Sequence, residues 1–214
     1  MNFTNFTNMQ KNCVIHVICC KKVKEQYKGF IETMKKIMFN DQYDLTLAVL
    51  EGRKTQTRRM MPFDAVFRIK TGGKDCQKSD IIKSCARYKE GELVAVAQSY
   101  RDLADKKNLT DRQISSAGYK NKMFANPNLM PHHIRITRVR IEQLHDISDA
   151  DCMAEGICMN GGFYGFPRKI GKHTIFYTFL SPREAYASLS NKVAGKDVWY
   201  DNPYVFAYDF ELVD

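Results

Sequence analysis

No C-x-x-C pair occurs in this chain, and its seven cysteines (Cys13, Cys19, Cys20, Cys76, Cys85, Cys152 and Cys158) make an odd number. Those two facts exclude a disulfide framework and an ordinary zinc ribbon, and they fit a reducing cytosol, so a cytoplasmic location is expected. Cys13, His16, Cys19 and Cys20 put four soft ligands within eight residues, but adjacent cysteines chelate a single ion awkwardly. His132-His133 has no third ligand within reach and reads as structural. No metal and no cofactor is therefore expected. Long apolar runs are missing too. The stretch Val14 to Cys20 is far too short to span a bilayer, and it lacks the long hydrophobic segment and cleavage site of a secretory signal, so no membrane partner is expected. Internal repeats are absent, as are low-complexity tracts beyond the first 33 residues.

What is present is enough apolar material for one core: 44% of 214 residues are hydrophobic. The net charge of +9 is uneven. Residues 1–90 hold 18 Lys/Arg against 9 Asp/Glu, whereas residues 91–214 hold 15 of each. A half-chain with that excess suits a polyanionic partner such as RNA, although a solvated basic face has the same composition.

Residues 1–33 are rich in Asn, Thr and Lys without a sustained period and read as a disordered basic tail. After Met34 the pattern sharpens. Asp44 is placed to cap a short helix carrying Leu45, Ala48 and Val49, with Gly52 as its terminator. Residues 63–90 form a polar, basic insertion, and residues 101–129 a second excursion. Between them Leu93 to Gln98 is apolar on both faces, as a buried strand is. In the run from His133 to Ile141, Ile134 and Ile136 share one parity while Val139 and Ile141 share the other, so a β-bulge is expected at Thr137-Arg138. Ser148 and Ser181 open capping boxes, Glu155-Gly156 ends the first of those helices, and Pro203 to Val213 reads as a final strand.

Gly52 to Arg59 reads GRKTQTRR, which crowds four cations and two threonines into eight residues. On a straight strand Lys54 and Thr57 would face opposite sides, so they can cooperate only if the backbone turns between them. Gly52, Lys54 and Arg59 match the G-x-K-x-x-E-x-R motif of the ASCH domains, small β-barrels similar to the RNA-binding PUA domain. The resemblance extends to residues 86–100, 130–148, Ala154-Glu155-Gly156 and 202–213, and is to phage and Bacteroides-type members. It implies an α+β fold, a PUA-like β-barrel with flanking short helices, over residues 34–214. The glutamate of the motif is Thr57 here. That variant resembles the ASCH amidohydrolases that deacetylate acetylated cytidine with lysine, threonine and glutamate. Carried over by position, these are Lys54, Thr57 and Glu155. The insertions exceed the minimal members and leave the substrate open.

The chemistry is reasonable for these residue types. A threonine hydroxyl needs a base, and a lysine amine serves only if neighbouring cations and burial lower its pKa from about 10.4. A carboxylate at Glu155 would orient water or protonate the leaving amine, and would also raise the lysine. Two functions follow. In the first, the protein binds RNA or a modified nucleoside in a basic pocket, with Gly52, Arg53, Arg58 and Arg59 on the phosphates and Gln98, Tyr100, Trp199 and Tyr200 on the base. In the second, Lys54, Thr57 and Glu155 hydrolyse an amide. An adaptor that binds host nucleic acid without pocket chemistry is a third possibility. The same residues also have plain structural uses: a solvated basic loop, strand-end packing, and a core tryptophan.

Overall fold

In this computed structural model the described residues are 34–72, 77–103 and 109–213, so the basic segment 1–33, with its cysteine cluster, lies outside them. Met34–Asp214 forms a unit of its own. In chain order its elements are β1 (Lys36–Ile37), α1 (Leu45–Leu50), β2 (Gln56–Met60), α2 (Phe63–Thr71), α3 (Lys78–Cys85), β3 (Leu93–Val96) and α4 (Asp111–Ile114). After them come β4 (His133–Gln143), α5 (Asp149–Ala154), β5 (Cys158–Asn160), β6 (Phe163–Ile170), β7 (His173–Phe179), α6 (Pro182–Ala194), α7 (Val198–Asp201) and β8 (Tyr204–Leu212). The class is mixed α+β.

Local chemistry explains most boundaries. Ser148 accepts from the Asp151 N–H to start α5. Ser181 accepts from the Glu184 N–H to start α6, with Pro182 at its first position. Asp44 does precede α1, but its backbone is left-handed at φ 53° and its side chain makes no capping bond. Its carboxylate is drawn instead to the Lys169 ammonium on β6, a partner that sequence spacing cannot reveal. Residues 63–90 are more than a polar insertion: α2 and α3 bury Ala65 and Ile81 against the main core.

Five strands form one sheet in the order β1-β3-β4-β8-β2, parallel at β1–β3 and antiparallel elsewhere. The register of β4 against β8 shifts between Ile136 and Arg138. Residues 137 and 138 are both exposed there, so Ile134, Ile136, Val139 and Ile141 all turn inward despite their change of parity. Opposite them, in register, are Leu212, Phe210, Tyr208 and Phe206. The outer strands are linked by a side chain: Arg59 of β2 donates to the carbonyl of Met38, just beyond β1, at 2.7 Å.

Residues 158–179, to which the sequence assigned no elements, form a second antiparallel sheet in the order β5-β6-β7. Phe166 anchors it to the core, fully buried with its ring edge-on to Tyr43 at 5.7 Å. A smaller cluster of Ala95, Tyr100, Ala125 and Met130 packs on the opposite face of β3 from Val94 and Val96. Because Ile136 is fully buried beside the bulge, Ile136→Ala is expected to destabilise by about 3 kcal/mol, seen as a lower urea midpoint with unchanged slope.

Candidate functional site

The turn required between Lys54 and Thr57 exists. Gly52, at φ 71°, ends α1 in the left-handed region that glycine tolerates. The chain then runs outside any strand until Gln56, tied down by Lys54 N–H to Ala48 O and Thr55 N–H to Ala154 O, both 2.9 Å. Lys54 and Thr57 consequently line one cavity of about 650 Å³, together with Arg58, Arg59 and Glu155. Its apolar wall includes Phe39, Leu45, Leu144, Leu189 and Val205. Lys54, Thr57 and Glu155 are all buried. The α5 terminus carries Glu155, and Gly156 follows at φ 105°. A Cβ on Gly156 would stand 3.2 Å from Leu45 Cδ2, so a side chain there would press on the cavity wall as well as strain the left-handed backbone.

Lys54 Nζ donates to Glu155 Oε2 at 2.5 Å, Glu155 O at 2.7 Å and Gln56 O at 2.8 Å. Three acceptors satisfy the three N–H groups of an ammonium. Burial pushes the Lys54 pKa down from its ordinary value, with the charges of Arg59 and Arg58 acting the same way and Glu155 opposing. Of the two causes named from the sequence, burial is the larger and the arginines the smaller.

Arg58 is the hub of an ionic network. Its Nε donates to Glu142 at 2.7 Å, Nη2 to Asp151 at 3.1 Å, and Nη1 to Glu155 and to the Gln56 amide oxygen, both at 3.2 Å. Arg140 adds a bond to Asp209 at 3.0 Å. Burial disfavours the Arg58 charge, but Glu155 and Glu142 outweigh it and hold the guanidinium protonated. Burial would also raise the Asp151 carboxyl, yet the Gln56 hydrogen bond and the Arg58 and Arg140 charges hold it below its ordinary value. Tyr186 of α6 borders the same cavity, and its phenol is pushed well up by burial and by the nearby Glu155 charge. Cys152 on α5 is fully buried and its thiol is pushed up to about 12, chiefly by burial, which leaves no thiolate nucleophile there.

Several residues expected at this site lie elsewhere. Arg53 is exposed and bound to Glu51 at 2.8 Å, and Gly52 shapes the turn without lining the cavity. Tyr100 is buried in the smaller cluster, its hydroxyl accepting from the Asn126 N–H at 2.8 Å. Gln98 lines a separate cleft with Asp44 and Lys169. Trp199 is half-buried between His145 at 4.5 Å and Tyr186 at 6.1 Å, with the Arg183 guanidinium over its face, so it packs rather than stacks on a base. Tyr200 is 87% exposed. Conversely, Gln56, Glu142, Asp151 and Tyr186 were missed. Asp151 stands three residues after the Ser148 cap, Tyr186 lies on the helix opened by Ser181, and Glu142 follows the basic run His133 to Ile141, and nothing in the sequence marks their partners.

No family model matches the chain, and no curated protein matches it. Among solved structures it is similar to a crystallised DUF984 protein from Enterococcus faecalis V583 at 17% identity and a TM-score of 0.39, covering 91% of this chain and 94% of that one. A likeness at that level assigns no function.

The network yields two expectations. Removing Arg58 leaves three carboxylates without their shared cation, so Arg58→Met should cost about 3–5 kcal/mol in chemical denaturation, against less than about 0.5 for the exposed Arg53→Met. Asp151 has a depressed folded pKa, so its contribution is intact above the unfolded carboxyl pKa of about 3.9 and is lost as pH falls through the folded one. Melting temperature followed downward from about pH 5 should fall less steeply in Asp151→Asn than in the parent.

Proposed function

We propose that the cavity holds a cytidine-like nucleoside bearing an acyl amide and hydrolyses that amide, with Thr57 as nucleophile, Lys54 as base and Glu155 as acid. The observation that carries the reading is the convergence of Lys54, Thr57 and Glu155 on one cavity, with the lysine and glutamate in direct contact at 2.5 Å. About 650 Å³, mostly apolar walls and a small polar floor suit a nucleoside-sized ligand. The motif variant at Lys54 and Thr57 supports the same chemistry, as does the resemblance to ASCH domains on which it rests. The bulged β4, and β2 joined to the β1 end through Arg59, support reading the larger sheet as a PUA-like barrel.

A proton passing from Lys54 to Glu155 along their contact leaves a neutral amine beside a neutral acid, and a poorly solvated cavity favours that uncharged pair. Among the described residues no side-chain hydrogen bond engages the Thr57 hydroxyl. The hydroxyl adds to the acyl carbonyl as Lys54 takes its proton. The C–N bond then breaks, and the departing amine takes the proton held by Glu155. The proton taken by Lys54 passes again to Glu155, and water then repeats the sequence on the acyl-threonine ester: Lys54 takes a proton from water, and Thr57 leaves with the proton of Glu155. The products are the deacylated nucleoside and a carboxylic acid. Arg58, 3.2 Å from Glu155, favours the carboxylate and so opposes the first transfer. The rate therefore depends on how fully substrate excludes water.

Binding of RNA or a modified nucleoside without turnover is the second reading. The observation that favours it is the three-acceptor cradle of Lys54, which suits an ammonium better than a free base. Incubation of the parent and Thr57→Ala with acetylated cytidine separates the two. The parent should release cytidine, and Thr57→Ala should lose about a thousandfold or more in turnover while retaining affinity. Equal turnover by both proteins sinks the nucleophile assignment, and none by either leaves the binding reading.

A further inference from the structure

A second cavity, of about 340 Å³, adjoins the first. Met38, Arg59 and Met60 line both, so the wall between them is shared. Lys36, Arg87 and Tyr88 also line the smaller cavity, and among the described residues its lining contains no carboxylate. The charge accounting within it differs from that of the larger site. Lys36 is occupied, its ammonium held by the carbonyls of Lys122, Met123 and Ala125. Arg59 is half-buried and donates to one carbonyl, whereas Arg87 is exposed. Among the described residues neither guanidinium forms an ion pair, in contrast to Arg58, which meets three carboxylates. Of the acids around it, Glu92 is paired with Lys35 at 2.9 Å, and Asp64 reaches the Cys85 thiol of the cavity wall at 3.9 Å.

Both guanidiniums line the smaller cavity, with Arg59 bonded to the Met38 carbonyl and over the Phe39 ring at 5.8 Å. Both act on the buried Tyr88 phenol, partly offsetting the rise that burial imposes on it. The Arg87 guanidinium lies 5.7 Å from the Tyr88 ring centroid. Tyr88 is itself fixed, its hydroxyl donating to the Lys36 carbonyl at 2.9 Å. Two guanidiniums lining one small cleft, with no carboxylate among its described lining residues, match a phosphate dianion in charge.

We propose that the two cavities form one bipartite site and that its ligand is a nucleoside monophosphate, with the base and its acyl amide in the larger cavity and the phosphate between Arg59 and Arg87 in the smaller. This rests on the nucleoside reading above and names its substrate class. Two unpaired cations balance one phosphate. A polynucleotide would need a longer cationic track, and the neighbouring Arg58, which could have extended one, is buried and neutralised within its carboxylates.

The test is calorimetric binding to Thr57→Ala, used to prevent turnover, with acetylated cytidine and with its 5′- and 3′-monophosphates as probes. One monophosphate should bind at least about tenfold tighter than the nucleoside, an advantage that shrinks as salt is added. Adding Arg87→Ala should abolish that advantage and leave nucleoside affinity within about twofold, and Arg87→Lys should restore part of it. Arg87 is exposed, so circular dichroism should show these variants folded. Equal affinity for nucleoside and monophosphates, or an Arg87→Ala loss shared equally by all probes, overturns the phosphate site alone. Absence of binding by any probe overturns the nucleoside reading and the phosphate site with it. A short oligoribonucleotide that binds tighter than either monophosphate, independently of Arg87, overturns the mononucleotide assignment in favour of RNA. Arg87-dependent monophosphate binding alongside no turnover by the parent keeps this site and removes the catalysis.

Discussion

The interaction on which the rest of this structure depends is the buried contact between Lys54, Glu155 and Arg58. Withdrawing an ammonium, a guanidinium and a carboxylate from water costs several kcal/mol for each ion, and only close pairing with complete hydrogen bonding offsets it. The protein meets that demand from separate parts of the chain. Arg58 comes from β2, Glu142 from the end of β4, and Asp151 and Glu155 from α5 and its C-terminus. A slip in any of these elements would strand a charge. The bulge in β4 therefore does two jobs: it keeps the apolar residues inward on both sides of the register shift, and it delivers Glu142 to Arg58.

The same constraint divides the cations of the opening motif into different roles. Arg53 points outward and pairs locally, Lys54 and Arg58 are buried and neutralised, and Arg59 is left in the wall between two cavities. The excess positive charge in the first half of the chain thus does not translate into one phosphate-binding surface. Counting charges along a sequence treats every cation as solvated, whereas here two of four have lost both their water and their net charge to partners about a hundred residues away.

Enclosure gives the site its chemical range. A lysine and a glutamate in contact at the surface would remain a screened ion pair. In a cavity walled by Phe39, Leu144 and Leu189 burial instead pushes the Lys54 pKa down against the pull of Glu155. Tyr186, buried beside Glu155 and kept neutral, adds a dipole without adding a charge.

Much of the scaffold was legible in the sequence because its signals are local. The buried strand at Leu93–Val96, the change of parity that marks the bulge, the serine caps at 148 and 181, and the terminal strand depend on side chains a few residues apart. Lys54 and Thr57 stood out through a short motif and Glu155 only through the resemblance, while their meeting in one cavity is a product of the packed chain. The second sheet was not legible, since residues 158–179 mix aromatic and basic positions without clean alternation, and Phe166 finds its partner Tyr43 more than a hundred residues away. Gln98, Tyr100, Trp199 and Tyr200 had the right chemistry for reading a base, but burial and direction are settled only when the chain is packed. The sequence by itself determined which residue types are present and where strands and helices begin. Tertiary structure decided which charges lose their water and what they face, because desolvation and ion pairing depend on neighbours distant along the chain.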